Sequence, residues 1–143
     1  MRWHNGVVRP EQLWYTGRDQ GRIAAAAMVG DTVTYARGTM YNSAKPMDIE
    51  YTTAGLVNWK LDDKQEWFFE EKGTVRSTTR FVLRGGAVVG FNALGRRWDH
   101  SRIIRWIEER RALPWVLDHL HEAAFDTEFV PPLTVPASAR PTP

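Results

Sequence analysis

Two β-rich runs, residues 74–83 and 87–94, are joined by Arg84-Gly85-Gly86, and no other feature constrains the fold as much. Glycine reaches positive φ without a steric penalty, so a Gly-Gly pair between strand-like segments predicts a tight hairpin and local antiparallel pairing. The same placement removes Gly85, Gly86 and Gly90 as a phosphate cradle, which would lie between a strand and a helix. Residues 49–53 and 66–70 are further β-branched or aromatic candidates, giving an antiparallel sheet of three to five strands.

Helical spacing frames this sheet. Residues 13–28 contain the helix-forming run Arg22-Ile23-Ala24-Ala25-Ala26-Ala27-Met28, with Gly30 as the stop. A Gly/Asn/Ser/Pro-containing connector follows over 38–46. In 101–111, Ile103, Ile104 and Ile107 recur at helical spacing, Asp99 or Ser101 is the candidate N-cap, and Arg110-Arg111 suit the negative end of the helix dipole. Pro114 opens a second helix whose stripe is Leu113, Val116, Leu117, Leu120 and Ala124. The expected fold class is therefore α+β: a leading helix, the antiparallel sheet, and two C-terminal helices packed on one face. Beyond Phe129, Pro131-Pro132 and the Pro/Ala/Ser/Thr run 136–143 predict a disordered tail.

Composition narrows the chemistry. The 143 residues include no Cys, which excludes disulfides, a thiolate nucleophile and Cys-based zinc sites. The 19 basic and 17 acidic residues are spread along the chain, whereas a nucleic-acid surface concentrates basic groups on one face. Arg96-Arg97-Trp98 and Arg110-Arg111 are the nearest fragments to such a patch. No stretch approaches the roughly 18 apolar residues of a membrane helix and no signal-peptide core opens the sequence, so a cytoplasmic location without membrane contact is expected.

His119 and His121 cannot easily share a metal, since residues two apart on a helix point about 200° from each other. His100 beside Asp99 reads as capping ahead of acid/base chemistry. The pairs Asp62-Asp63, Glu70-Glu71 and Glu108-Glu109 read as solvent-facing, the last within reach of Arg105. Phe125 and Phe129, in Ala123-Ala124-Phe125-Asp126-Thr127-Glu128-Phe129, are expected to pin the end of the ordered region to the core. No catalytic or metal-binding residue is assigned.

Residues 11–25, Glu11-Gln12-Leu13-Trp14-Tyr15-Thr16-Gly17-Arg18-Asp19-Gln20-Gly21-Arg22-Ile23-Ala24-Ala25, resemble the last flavin-binding segment of the pyridine nucleotide-disulfide oxidoreductase superfamily. Residues 41–55, Tyr41-Asn42-Ser43-Ala44-Lys45-Pro46-Met47-Asp48-Ile49-Glu50-Tyr51-Thr52-Thr53-Ala54-Gly55, are similar to the first strand of that superfamily's C-terminal interface domain. Phe91-Asn92-Ala93-Leu94-Gly95-Arg96-Arg97, Arg105-Trp106 and 123–129 are similar to the closing segments of one bacterial branch of these NAD(P)/FAD-dependent enzymes. The three matches run in family order over 11–129. The two Rossmann-type domains, the preceding Gly-Asp flavin motif, the redox disulfide and the His-Pro signature have no counterpart in these residues, and Pro46-Met47 stands where the family carries a bulky aromatic.

The resemblance implies a division into a flavin-domain remnant helix (1–30), an α+β interface or dimerisation domain (31–129) and a tail (130–143). It implies that Trp14 and Tyr15 offer backbone amides to the pyrimidine edge of FAD, shared with a protein subunit that carries the FAD and NAD(P) domains. The chain would then be the C-terminal flavin-facing module of an FAD- and NAD(P)H-dependent oxidoreductase, not catalytic alone. The alternative is a stand-alone interaction or dimerisation module, acting with a partner or as a homo-oligomer.

Overall fold

The computed structural model describes residues 10–57, 63–125 and 127–140, which fall into two compact units dividing between Gly38 and Thr39. Asp62, Asp126 and residues 141–143 lie outside the described residues. The fold class is α+β, with three α-helices and one five-stranded antiparallel sheet among the described residues.

In the first unit, α1 (Trp14–Met28) ends as Gly30 predicts. Gly30 has φ 98°; its N–H donates to Ala27 O at 3.1 Å and that of Asp31 to Ala26 O at 3.1 Å. This double closure needs a left-handed residue just beyond the helix, and glycine supplies it without strain. Residues 31–37 stay with α1 through Glu11, whose side chain is 3% exposed and lies 2.5 Å from Arg37 Nε. Glu11 also accepts from Gln20 Nε2 at 3.1 Å and from the Tyr35 hydroxyl at 3.3 Å. Burial, with the nearby Glu11 charge, raises the Tyr35 hydroxyl above its ordinary range against a hydrogen bond from Gln20.

In the second unit, β1 (Tyr41–Ala44), β2 (Tyr51–Gly55), β3 (Lys64–Glu71), β4 (Ser77–Arg84) and β5 (Ala87–Leu94) pair in the order β1-β2-β5-β4-β3. Gly85 and Gly86 have φ 56° and 75°, so the expected hairpin closes with two positive-φ residues, whose twist matches that of the strands. Register sets Tyr41, Ala54, Phe91, Phe81 and Trp67 in one row across all five strands. Opposed residues of a sheet share a face, so this row is the spine of the core. Trp67, Phe81 and Phe91 follow one another with ring centroids 5.9 and 5.1 Å apart. The next row, Phe68, Arg80, Asn92 and Thr53, turns to the opposite face.

Helix α2 (His100–Glu108) starts on Asp99, whose carboxylate accepts from Ser101 N at 2.8 Å. It buries Ile103 and Trp106. Helix α3 (Leu113–Asp118) carries Pro114 in its first turn and buries Leu113, Val116 and Leu117. At Asp118 the chain tightens into a 3₁₀ turn, Leu120–Ala123. Tightening rotates the stripe, so Ala123 enters the core in place of Ala124. These side chains share one core with Phe81, Val88, Phe91 and Trp98.

Several expectations are corrected. Residues 41–55 form a hairpin of two strands, β1 and β2, joined by a turn in which Ile49 N donates to Pro46 O at 3.1 Å. The Pro-rich tail is not disordered as far as Arg140. Leu133 and Val135 are buried, Trp67 Nε1 donates to Ala139 O at 2.8 Å, and Arg140 pairs with Asp118. Prolines restrict the unfolded chain, so ordering this segment loses less entropy than its composition suggests. Leu133 and Val135 take the pinning role expected of Phe125 and Phe129, which are 55% and 83% exposed. Finally, Glu108 accepts from Thr39 and Glu109 pairs with Arg111, neither with Arg105.

Candidate functional site

Trp14 and Tyr15 occupy the first turn of α1. The preceding Leu13 cannot cap with its side chain, Thr16 Oγ1 turns back to Leu13 O at 3.0 Å, and the first turn holds no acidic residue. The positive end of the helix is thus not neutralised by a carboxylate in its own first turn. Trp14 is 70% exposed. It meets Tyr15 edge to face at 5.3 Å, and the Arg18 guanidinium lies 5.4 and 5.9 Å from the two ring centroids. Aromatic surface and helix-end dipoles meet at this turn, while Arg18 Nε donates to Asp19 Oδ1 at 3.0 Å, so its charge is shared with that carboxylate. Further along α1 only Thr16 is buried, and a Cβ on Gly17 or Gly21 meets nothing within 4 Å among the described residues.

In the second unit an open groove of about 810 Å³ lies at one end of the sheet, between the turn before β2, the β3–β4 turn and the end of β5. Asp48, Glu70, Lys72 and Arg76 line it. Glu71 also lines it, and from behind Arg96, 7% exposed, grips that carboxylate with two 2.7 Å hydrogen bonds and gives a third, also 2.7 Å, to Pro131 O. Ser77 donates to the same carboxylate at 2.8 Å. The Arg96 hydrogen bonds, aided by Ser77 and opposed by partial burial, hold Glu71 below the usual carboxylate range. Both Glu71 oxygens are thus taken up by Arg96, with Ser77 sharing one of them. The trio locks the β3–β4 hairpin to the C-terminal segment.

The other sequence candidates are absorbed by the fold. Asp99 is the α2 cap, and His100 Nε2 lies 3.2 Å from Asn42 O. His119 stacks on Trp115 at 3.8 Å, and the Arg111 guanidinium lies 4.2 Å from the same ring. Arg96 is committed to Glu71, Arg97 lies 4.3 Å from the Phe125 ring, and Trp98 is a core residue, so the basic fragment is not a continuous patch. Glu70 pairs with Lys72 at 3.2 Å. On the opposite sheet face Arg80, with Lys64, holds Glu66 down to about 2. Among the described residues no three His, Asp or Glu side chains form a metal-binding group, and no helix is long and apolar enough to cross a membrane.

Sequence reasoning missed the Glu71–Ser77–Arg96 trio. The pairing of Glu71 with Ser77 follows from hairpin register, but Arg96 is 25 residues away and no local spacing points to it. No family model and no curated protein matches this chain.

Proposed function

We propose that this chain is the C-terminal flavin-facing and interface module of an FAD- and NAD(P)H-dependent oxidoreductase, completed by a protein subunit that carries the nucleotide-binding domains. The observation that carries the reading is the construction of α1. A helix of 15 residues that buries only Thr16 lacks the apolar face that normally stabilises such a segment. Its ridge of Gly17, Gly21 and Ala24 lets a neighbouring backbone approach closely, and its first turn has no carboxylate to repel an anion. In this reading α2 and α3 cover one face of the sheet and make the second unit a platform for assembly.

Trp14 and Tyr15 suit the pyrimidine edge of FAD, because that edge gains negative charge on reduction and a helix N-terminus favours it. Bound FAD would supply the electron-transfer chemistry. This chain contributes position and partial positive charge through the Trp14 and Tyr15 amides. The test is to purify the full chain with its native partner and record the absorbance spectrum and reduction potential. Flavin should be present, and Tyr15→Pro, which deletes one N–H donor in a turn where proline is tolerated, should lower the potential with the complex intact. An intact complex without flavin, or one whose potential is unmoved by Tyr15→Pro, rejects the flavin role and leaves the interaction module as the better reading.

A further inference from the structure

The groove at the end of the sheet takes no part in the flavin reading. Its floor is the row Glu70, Thr78 and Leu94, two residues on from Phe68, Arg80 and Asn92 and therefore on the same face, opposite the core. Leu94 is 39% exposed and Ile49, on the β2 side, 48%, so the groove carries an apolar patch. Gly73 and Gly95 line it without a side chain to fill it. Its frame is fixed on both sides. Gly95 N donates to Glu50 O at 2.8 Å, which ties the start of β2 to the end of β5, and the Glu71–Ser77–Arg96 trio holds the β3–β4 side.

Most of the charge around the groove is neutralised internally. Glu71 is bound by Arg96, and Glu70 pairs with Lys72. One anion and one cation are left, Asp48 and Arg76, both exposed and neither with a side-chain hydrogen bond or ion pair among the described residues. Asp48 belongs to the turn before β2, Arg76 immediately precedes β4, and β5 lies between those strands. Two strand spacings amount to about 10 Å. A polyphosphate would need several unpaired cations together, and among the described residues the carboxylates form no metal-binding group. A lone anion and a lone cation on either side of an apolar patch complement a zwitterion with an apolar middle.

We propose that this groove binds a short peptide with both ends free, about three residues long, laid across the end of β5. Its ammonium meets Asp48, its carboxylate meets Arg76, and a central apolar side chain rests on Ile49 and Leu94. The length follows from the span, since an extended chain advances about 3.4 Å per residue and three residues reach about 10 Å. A free amino acid is too short to meet both charges, and the C-terminus of a protein offers only the carboxylate. The groove's volume of about 810 Å³ lies within the range of ligand pockets. The inference rests on this groove alone and is independent of the flavin role.

Titration of the full chain with the tripeptide Ala-Leu-Ala, followed by nuclear magnetic resonance, tests it. The amides of Ile49, Thr78, Leu94 and Gly95 should shift and those of α1 should not. Acetylating the N-terminus of the peptide or amidating its C-terminus should each weaken binding up to about fivefold, the loss expected of one exposed ion pair. Free leucine should bind more weakly than the tripeptide. Asp48→Asn should weaken binding of the free peptide by the same factor and abolish discrimination against the acetylated one, and Arg76→Gln should do so for the amidated one. Both side chains are exposed, and the amide spectrum of each variant should show it folded. Absence of shifts at millimolar tripeptide overturns the proposal. So do shifts centred outside the groove, indifference to blocked ends or to length, and discrimination that survives the matching variant.

Discussion

Replacing Arg96 by Met keeps most of the side chain's apolar bulk and removes its charge. The loss follows from the geometry: three hydrogen bonds of 2.7 Å disappear from a side chain only 7% exposed. Breaking a buried ion pair generally destabilises by about 3–5 kcal/mol, mostly through the charge left behind. Glu71 keeps 23% exposure and its bond from Ser77, so water and Ser77 recover part of this and the lower end, about 3 kcal/mol, is expected. That corresponds to a fall of about 10 °C in Tm. The pH dependence gives a second check. Glu71 is lowered in the folded state from 4.5, so its contribution is complete above that value and is lost as pH falls through the lower folded value. The gap between native and Arg96→Met urea curves should therefore narrow in strong acid. Arg96→Lys, which keeps the charge but not the two-pronged grip, should lose less and retain the pH dependence. A loss under about 1 kcal/mol at neutral pH, the range of exposed pairs, would refute the reasoning.

Asp99→Ala should lower stability by about 1 kcal/mol through loss of the α2 cap, read as a shifted urea midpoint with unchanged slope. Truncation after Phe129 uncovers the sites of Leu133 and Val135 and should lower stability by about 4 kcal/mol, with a red-shifted tryptophan emission as Trp67 meets water; unchanged emission would contradict the packing. Hydrogen exchange of the chain alone should find the α1 amides poorly protected relative to Phe81 and Phe91, because α1 buries so little. Equal protection in the two units would count against that reading.

Strong local signals made much of the fold legible. The Gly85-Gly86 hairpin, the Gly30 stop, the Asp99 cap and Pro114 in its first turn each rest on backbone chemistry within a few residues, and each stands where expected. What failed was set by distant contacts. β1 has a connector's composition and is a strand because it pairs with β2. Residues 74–76 read as strand, yet β4 begins at Ser77, where Glu71 receives the Ser77 hydroxyl. Arg96 reads as surface charge because its acid arrives from another strand. The tail reads as disordered because composition does not reveal that Leu133 and Val135 have a core to enter. The Trp14–Tyr15 turn is the part of the candidate site that sequence named, whereas the Glu71–Ser77–Arg96 trio needed the register of three segments.

The bond from Trp67 to Ala139 sets an order of events during synthesis. β3 leaves the ribosome before the residues that cover it, so β3, β4 and β5 can begin to pair while Leu133 and Val135 have not yet emerged. For that interval the stacked Trp67 and Phe69 rings lie open beside an unpaired strand edge, a combination prone to aggregation in partly folded chains. The last dozen described residues thus act as a late clasp. A nascent chain stalled before them is the form that most needs a chaperone.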